Sequence, residues 1–370
     1  MSLGRPVIEG KGLRVIRGGA VIVDTPFIAV EEGEVLSLIG PNGSGKTTLL
    51  QTLSYLTKPF EGDLFFRGRK VGADCPVLTY RRALAMAFQE PLLFDRTVFE
   101  NVASGLKIRG MSRAKLREAV MEGLALFGIS ALRDRSARSL SGGEAQRTSL
   151  ARAFAIRPDV MLLDEPFASL DPRSREPLIE DMQAILKQTR TTTVFVTHDL
   201  IEAIRLSDRI AVMDQGRIRQ VGSPEEVLNT PADEFVASFV GIGTILSGRV
   251  LESEGDTALV SVSGREIESS GHFSAGALVA LFIRPENVTL SLPYDGGRRN
   301  DPQITSARNV FPGTVTRVIP MGFYQKIDLD CGFPLASYVT SLSREALNLA
   351  EGREVIVSFK ATDVHLIKKP

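Results

Sequence analysis

The sequence predicts an α/β phosphate-loop domain with a helical subdomain, followed by an all-β domain of small antiparallel barrels with two internal repeats. Three observations predict it. A glycine-rich turn, Gly40-Pro41-Asn42-Gly43-Ser44-Gly45-Lys46-Thr47, stands between the apolar run Val35 to Ile39 and a helical stretch from Thr48 to Leu56. A second apolar run, Val160 to Leu163, ends in the adjacent carboxylates Asp164 and Glu165. Beyond Gly241 the texture changes to short β-branched stretches separated by glycine, serine and aspartate, which is the pattern of small barrels.

The glycines of the turn let successive backbone N–H groups point inward where a Cβ would intrude, and the helix start adds a partial positive charge. Such a turn holds a nucleotide's phosphates. Lys46 reaches the terminal phosphates as a point charge, and the Thr47 hydroxyl is a ligand that oxygen-preferring Mg²⁺ accepts. Farther along, Phe88-Gln89-Glu90-Pro91 precedes the apolar Leu92, Leu93 and Phe94. Ser112 to Phe127 carries Leu116, Val120, Leu124 and Phe127 at helical spacing, so that one stripe packs on the core.

Ser141 and Glu144 have the spacing of a capping box, which opens a helix running to Ala155. Gly142 and Gly143 leave bare N–H groups at that opening, a second anion site, although an ordinary capped helix satisfies the same spacing. Val160 to Leu163 is a continuous apolar run of the buried parallel-strand type. Of the acids at its end, Asp164 suits the metal through coordinated water, and Glu165 suits polarising an attacking water. Thr193 to Thr197 is a β-branched strand that ends at His198, one of three histidines. Ile201 to Leu206, the strand Ile210 to Met213 and the turn Gln215-Gly216 continue the α/β pattern, and Pro224 to Val240 reads as a closing helical segment.

Composition sets the outer bounds. A chain of 370 residues implies two or three domains. Lys plus Arg equals Asp plus Glu at 44 each, so no global basic field draws nucleic acid. Cys75 and Cys331 lie far apart without metal-ligand spacing, which fits free thiols in a reducing compartment. No apolar run approaches the ~20 residues a membrane-spanning helix needs, and the first residues carry no charged-then-apolar export signal. Any membrane activity is therefore expected from partners.

In their order these motifs resemble the nucleotide-binding subunit of ATP-binding cassette (ABC) transporters, over about residues 7 to 240. Gly40 to Thr47 resembles that family's Walker A loop, with Thr48 next to it in the cofactor-binding set, Val160 to Glu165 its Walker B strand with the catalytic glutamate, and Leu140 to Arg147 its signature motif. Gln89 falls where the Q-loop glutamine is expected, Ser169-Leu170-Asp171 resembles the D-loop, and His198 the switch histidine. The resemblance implies ATP and Mg²⁺ as cofactors, Glu165, His198 and Gln89 as catalytic residues, and Thr47, Gln89 and Asp164 around the metal. It also implies a head-to-tail homodimer in which Ser141, Gly142 and Gly143 of one protomer, with Asp171, complete the site built on Lys46 of the other. The apolar surface after Gln89 would receive a short coupling helix from a membrane partner. Where the family usually stacks an aromatic on the adenine, this chain has Ile16 and Arg17, and the Arg17 guanidinium plane takes that role.

The β half repeats internally. Gly248-Arg249-Val250 corresponds to Gly313-Thr314-Val315, and Gly276, Val279, Ile283, Arg284, Val288 and Leu290 correspond in spacing to Gly352, Val355, Phe359, Lys360, Val364 and Leu366. Tyr294 to Gln303 is the expected loop between the copies. These halves resemble the oligonucleotide-fold-like TOBE domain of importer ATPases, the second half its molybdate-binding version. Ser306, Arg308 and Lys360 then offer a hydroxyl and two cations for molybdate or tungstate. A scaffold without ligand is the equal alternative.

The expected boundaries are 4–241 for the ATPase domain, with a helical subdomain at about 95–157, and 242–370 for the β domain. The resemblance implies a cytoplasmic ATPase, peripheral on the inner face of the membrane, energising molybdate or tungstate import through permease subunits served by an external binding protein. Importers of sulfate, polyamines, ferric iron or sugars share this plan, and a soluble ABC ATPase acting on nucleic acid or the ribosome is the more distant alternative.

Overall fold

A computed structural model describes residues 6–293 and 306–369. The chain divides into two compact units, Met1–Val227 and Leu228–Pro370.

The first unit is built on a six-stranded sheet. Five strands run parallel, in the spatial order Arg209–Asp214, Val35–Ile39, Thr192–Val196, Val160–Asp164 and Leu84–Ala87, and Arg217–Gly222 joins antiparallel at one edge. The central strands are buried along their whole length. Their apolar runs are continuous because both faces are covered. Leu36, Leu38, Leu162, Val194 and Val196 enter a core shared with the antiparallel four-stranded sheet that contains Pro6–Arg17 and Ala20–Glu31, whereas Met161, Leu163 and Phe195 enter the core of the helical side.

The expected helix before Leu56 starts two residues earlier than Thr48 and ends sooner, at Lys46–Leu53. Its start moves because Gly45, at φ 98°, is the helix N-cap and Lys46 already lies in the first turn. The stripe of Ser112 to Phe127 forms the helix Arg113–Leu126, and it packs with Val98–Ile108 and Gly142–Ala155 on the helical side. The closing segment is two helices, Pro224–Asn229 and Glu234–Phe239, because Pro231 between them lacks the N–H needed to continue the first.

The second unit contains two five-stranded antiparallel sheets over one apolar cluster. The repeat is visible in the elements: Thr244–Glu254 matches Asn309–Pro320, Leu278–Ile283 matches Glu354–Phe359, and the short turns Pro285–Asn287 and Ala361–Asp363 match. The halves are not separate barrels, however. Thr289–Ser291 of the first half pairs with Glu354–Phe359 of the second, and Val364–Lys368 of the second pairs with Leu278–Ile283 of the first. Each sheet thus ends in a strand taken from the other half. The expected loop Tyr294 to Gln303 lies outside the described residues.

Sequence texture changes at Gly241, but the compact division falls between Val227 and Leu228. Residues before Gly241 are tied to the β strands: Arg284 donates to the Leu228 carbonyl and Lys369 pairs with Glu234 at 2.7 Å.

Candidate functional site

The phosphate loop is shaped by two glycines that nothing else could replace. A Cβ on Gly40, at φ 149°, would lie 2.1 Å from the Met213 carbonyl oxygen, and one on Gly45 would lie 2.6 Å from that of Ile22. Inside the loop the Lys46 ammonium donates to the carbonyls of Gly40 at 2.8 Å and Pro41 at 2.9 Å. Burial pulls the Lys46 pKa below the usual lysine value, and Glu165 and Asp164 oppose that shift. The Ser44 hydroxyl is buried beside Gly40 with no hydrogen-bond partner among the described residues. A buried polar atom without a partner is costly, and an oxygen-rich anion in the loop would satisfy it. Asn42 and Gly43 are exposed at the loop's tip, with Pro41.

The strand ends bring the acids to this loop. Thr47 Oγ1 donates to Asp164 Oδ1 at 2.9 Å, so the two proposed metal ligands already touch. Burial is the largest cause raising the Asp164 pKa; the Thr47 hydrogen bond and Lys46 lower it, and Glu165 raises it further. Hard oxygen donors on a hydroxyl and a buried carboxylate, next to a phosphate cradle, fit Mg²⁺, which binds through one or two carboxylates plus phosphate oxygens. Among the described residues no group of three or more His, Cys, Asp and Glu forms a self-sufficient metal cage.

Glu165 follows directly and takes the left-handed conformation, φ 45°, while its N–H donates to the Val196 carbonyl at 2.9 Å. A non-glycine residue held there stores strain of order 1–3 kcal/mol, and that strain sets the direction of this side chain. His198 meets it, Nδ1 to Glu165 Oε2 at 3.1 Å. Thr48 follows Thr47 in the helix and is buried.

Ser141 caps the helix Gly142–Ala155 with both capping-box bonds formed. A Cβ on Gly143 would sit 3.2 Å from Ser174, in the first turn of Pro172–Thr189, whose N-cap is Asp171. Signature and D-loop residues therefore form a second cluster. Among the described residues, no hydrogen bond joins it to the phosphate loop. Gln89 is exposed, and its carbonyl accepts from Ser169 at 3.5 Å. Arg17 Nη2 donates to Gln51 and Thr57, at 3.0 and 3.1 Å.

Two features escaped sequence reasoning. Arg175 bonds both Asp199 and Glu202, at 2.6 Å and 2.9 Å, and so fixes the helix cap immediately after His198. The Asp199…Glu202 spacing is a capping signal that could have marked the helix start there; the arginine itself has none. Gln146 is fully buried with neither amide atom partnered among the described residues.

In the second unit, the register that pairs Asn309 with Phe359 places Arg308 and Lys360 at adjacent positions beyond the ladder. Arg308 already faces Glu268, Nε to Oε2 at 3.7 Å, and Ser306 is exposed.

Comparison with known proteins covers both units. The family profile for "ABC transporter" matches residues 25–168, and that for "TOBE domain" matches 305–366. A molybdate/tungstate import ATP-binding protein of Pyrococcus abyssi is 37% identical over 343 residues, 90% of this chain and 93% of the relative. A spermidine/putrescine import ATP-binding protein of Acidothermus cellulolyticus is 40% identical over 76% of this chain and 74% of its own length, and an Fe(3+) ions import ATP-binding protein of Escherichia coli is 35% identical over 74% and 77%. Among solved structures, cbiO1 of Clostridium perfringens, part of an ABC transporter complex, matches with a TM-score of 0.56 at 27% identity over 65% of this chain and 96% of that one. The phosphate loop, the paired acids and the β unit that follows them are thus those of a known group, and the chain belongs to the ATP-binding subunits of ABC importers, ATPases with a C-terminal TOBE domain.

Proposed function

We propose that this chain hydrolyses Mg-ATP as a homodimer on the inner face of the cell membrane and so energises molybdate or tungstate import through permease subunits that an external binding protein supplies. The observation that supports the cargo is the 37% identity that the Pyrococcus abyssi relative keeps over 90% of the chain, β unit included, against 34% over 95% for a spermidine/putrescine import relative of Ruegeria pomeroyi. The higher identity of the spermidine/putrescine relative, 40% over a shorter stretch, favours a polyamine as the second reading.

The phosphate loop binds the phosphates through its N–H groups, and Lys46 exchanges its two carbonyl partners for the terminal phosphate. Thr47 and Asp164 would hold the metal, with Gln89 beside it, and Mg²⁺ bound there would neutralise charge developing on the phosphates. Glu165 polarises the attacking water, and His198 at 3.1 Å orients that carboxylate. Ser141, Gly142 and Gly143 of the partner protomer, supported by Asp171, close the site as a second helix start facing the same anion. The Arg17 edge stays on Gln51 and Thr57, leaving its plane for the base. Leu92 and Phe94, 58% and 54% exposed and braced by Arg152, which donates to the Leu92 carbonyl, form the apolar surface for a permease helix.

Glu165→Gln tests the chemistry. ATP binding persists, turnover falls by about 10²–10⁴, and light scattering with Mg-ATP reports a dimer; a monomer under those conditions refutes shared sites. Cargo is tested in cells lacking the gene, which lose tungstate and molybdate uptake and keep spermidine uptake. Loss of spermidine uptake alone establishes the second reading.

A further inference from the structure

A cavity of about 590 Å³ in the first unit lies at the opposite end of the strands from the nucleotide residues. Asp159 and Thr192 line it, at the points where the strands Val160–Asp164 and Thr192–Val196 begin. Asp164, Glu165 and His198 sit at or beyond the points where those strands end, roughly 16 Å along the sheet. Sheets of this type bind ligands at the carboxyl ends of their strands, so the cavity is independent of the ATPase site.

Its floor is apolar. Ala119, Gly123 and Leu126 come from one helix and Phe154 and Ala155 from the end of Gly142–Ala155. The two helices approach so closely that a Cβ on Gly123 would lie 3.3 Å from that of Ala155.

Its rim carries Arg67, Arg157 and Arg190 beside the carboxylates of Glu32, Glu122 and Asp159. All three arginines have left-handed backbones, with φ of 48°, 45° and 50°. Arg67 precedes Gly68 in a hairpin turn, Arg157 follows the end of Gly142–Ala155, and Arg190 caps Pro172–Thr189. Glycine or asparagine is favoured at such positions, and another residue costs about 1–2 kcal/mol. A cation near a helix C-terminus recovers part of that for Arg157 and Arg190, but Arg67 has no such compensation. Surface ion pairs add little, about 0–1 kcal/mol each: Arg67 meets Glu32 at 3.1 Å and Asp159 at 3.0 Å, and Arg157 meets Glu122 at 2.7 Å. Arg190 has no ion pair among the described residues. Three guanidinium groups held in disfavoured backbone around one apolar floor are better explained by a ligand than by folding.

We propose that this cavity binds an anionic amphiphile, its phosphate-like head on the guanidinium groups and its short apolar body on the apolar floor. The volume falls within the range of small-molecule sites, roughly 300–1,000 Å³. The pairs with Glu32, Asp159 and Glu122 pre-position two arginines and are weak enough to yield to the head group.

Calorimetric titration of the full chain, with the nucleotide site filled by a non-hydrolysable ATP analogue, tests this with octyl phosphate, inorganic phosphate, octanol and phosphatidylglycerol vesicles. Octyl phosphate is expected to bind saturably, one per chain, at least tenfold more tightly than octanol or inorganic phosphate, since a charge-assisted guanidinium contact contributes about 1.5–3 kcal/mol. In Arg157→Gly/Arg190→Gly that affinity falls at least tenfold while the melting temperature holds or rises, because glycine relieves the left-handed backbone. Ala119→Trp fills the floor without touching an arginine and gives the same loss. Absence of saturable octyl phosphate binding, unchanged affinity in either variant, or binding to vesicles alone overturns the proposal.

Discussion

At the scale of the residue, Asp164 is where folding and chemistry pull in opposite directions. It is buried, 7% exposed, and burial is the main reason its pKa stands above the usual aspartate value. For an acid with a raised folded pKa, the stability contribution is complete below the unfolded value and is lost as pH rises through the folded one. At neutral pH the empty chain therefore carries this carboxylate at a cost, which a cation in the site removes. Asp164→Asn deletes the charge and leaves an oxygen for Thr47. Thermal melts without nucleotide are expected to place the variant at or above the native chain at neutral pH, with the gap closing toward about pH 4, while the stabilisation by Mg-ATP shrinks. A variant that melts clearly lower when empty shows that the carboxylate is structural.

At the scale of the element, what the sequence reveals depends on how local the cause is. The phosphate loop was legible because Gly40 and Gly45 answer to backbone clashes that only glycine avoids. The strand Val160–Asp164 was legible because burial on both faces leaves an uninterrupted apolar run, and Ser141 because a cap and its Glu144 partner are three residues apart. The grip of Arg175 on Asp199 and Glu202 spans more than twenty residues and has no periodic signature, so the residues that steady His198 emerge only from the fold. The same limit applies to Arg308: the resemblance to a molybdate-binding domain offered it as a cation for an oxyanion, whereas the fold sets Glu268 beside it. Strand exchange was hidden for a different reason. The two copies carry the same alternation, and a pattern that fits either partner cannot say which copy a strand joins.

At the scale of the whole molecule, the change of texture at Gly241 and the division of packing at Val227 are different boundaries, and they predict different fragments. Fragment 228–370 keeps the Leu228 carbonyl for Arg284, Glu234 for Lys369, and the helix Glu234–Phe239. Fragment 242–370 removes the Leu228 carbonyl from Arg284 and leaves its guanidinium the Glu286 pair alone, and a lost hydrogen bond from a charged donor costs about 1.5–3 kcal/mol. Circular dichroism melts are expected to show one cooperative transition for the longer fragment and a lower, broader one for the shorter. Equal transitions place the true boundary at Gly241.

The traded end strands, Thr289–Ser291 and Val364–Lys368, give the β unit the connectivity of a swapped pair whose members share one polypeptide. Tethering replaces a two-body encounter with an internal one, so the pairing no longer dilutes away. Neither copy can be excised without leaving its twin an open ladder edge, and an ancestor holding a single copy would have needed to find itself in duplicate.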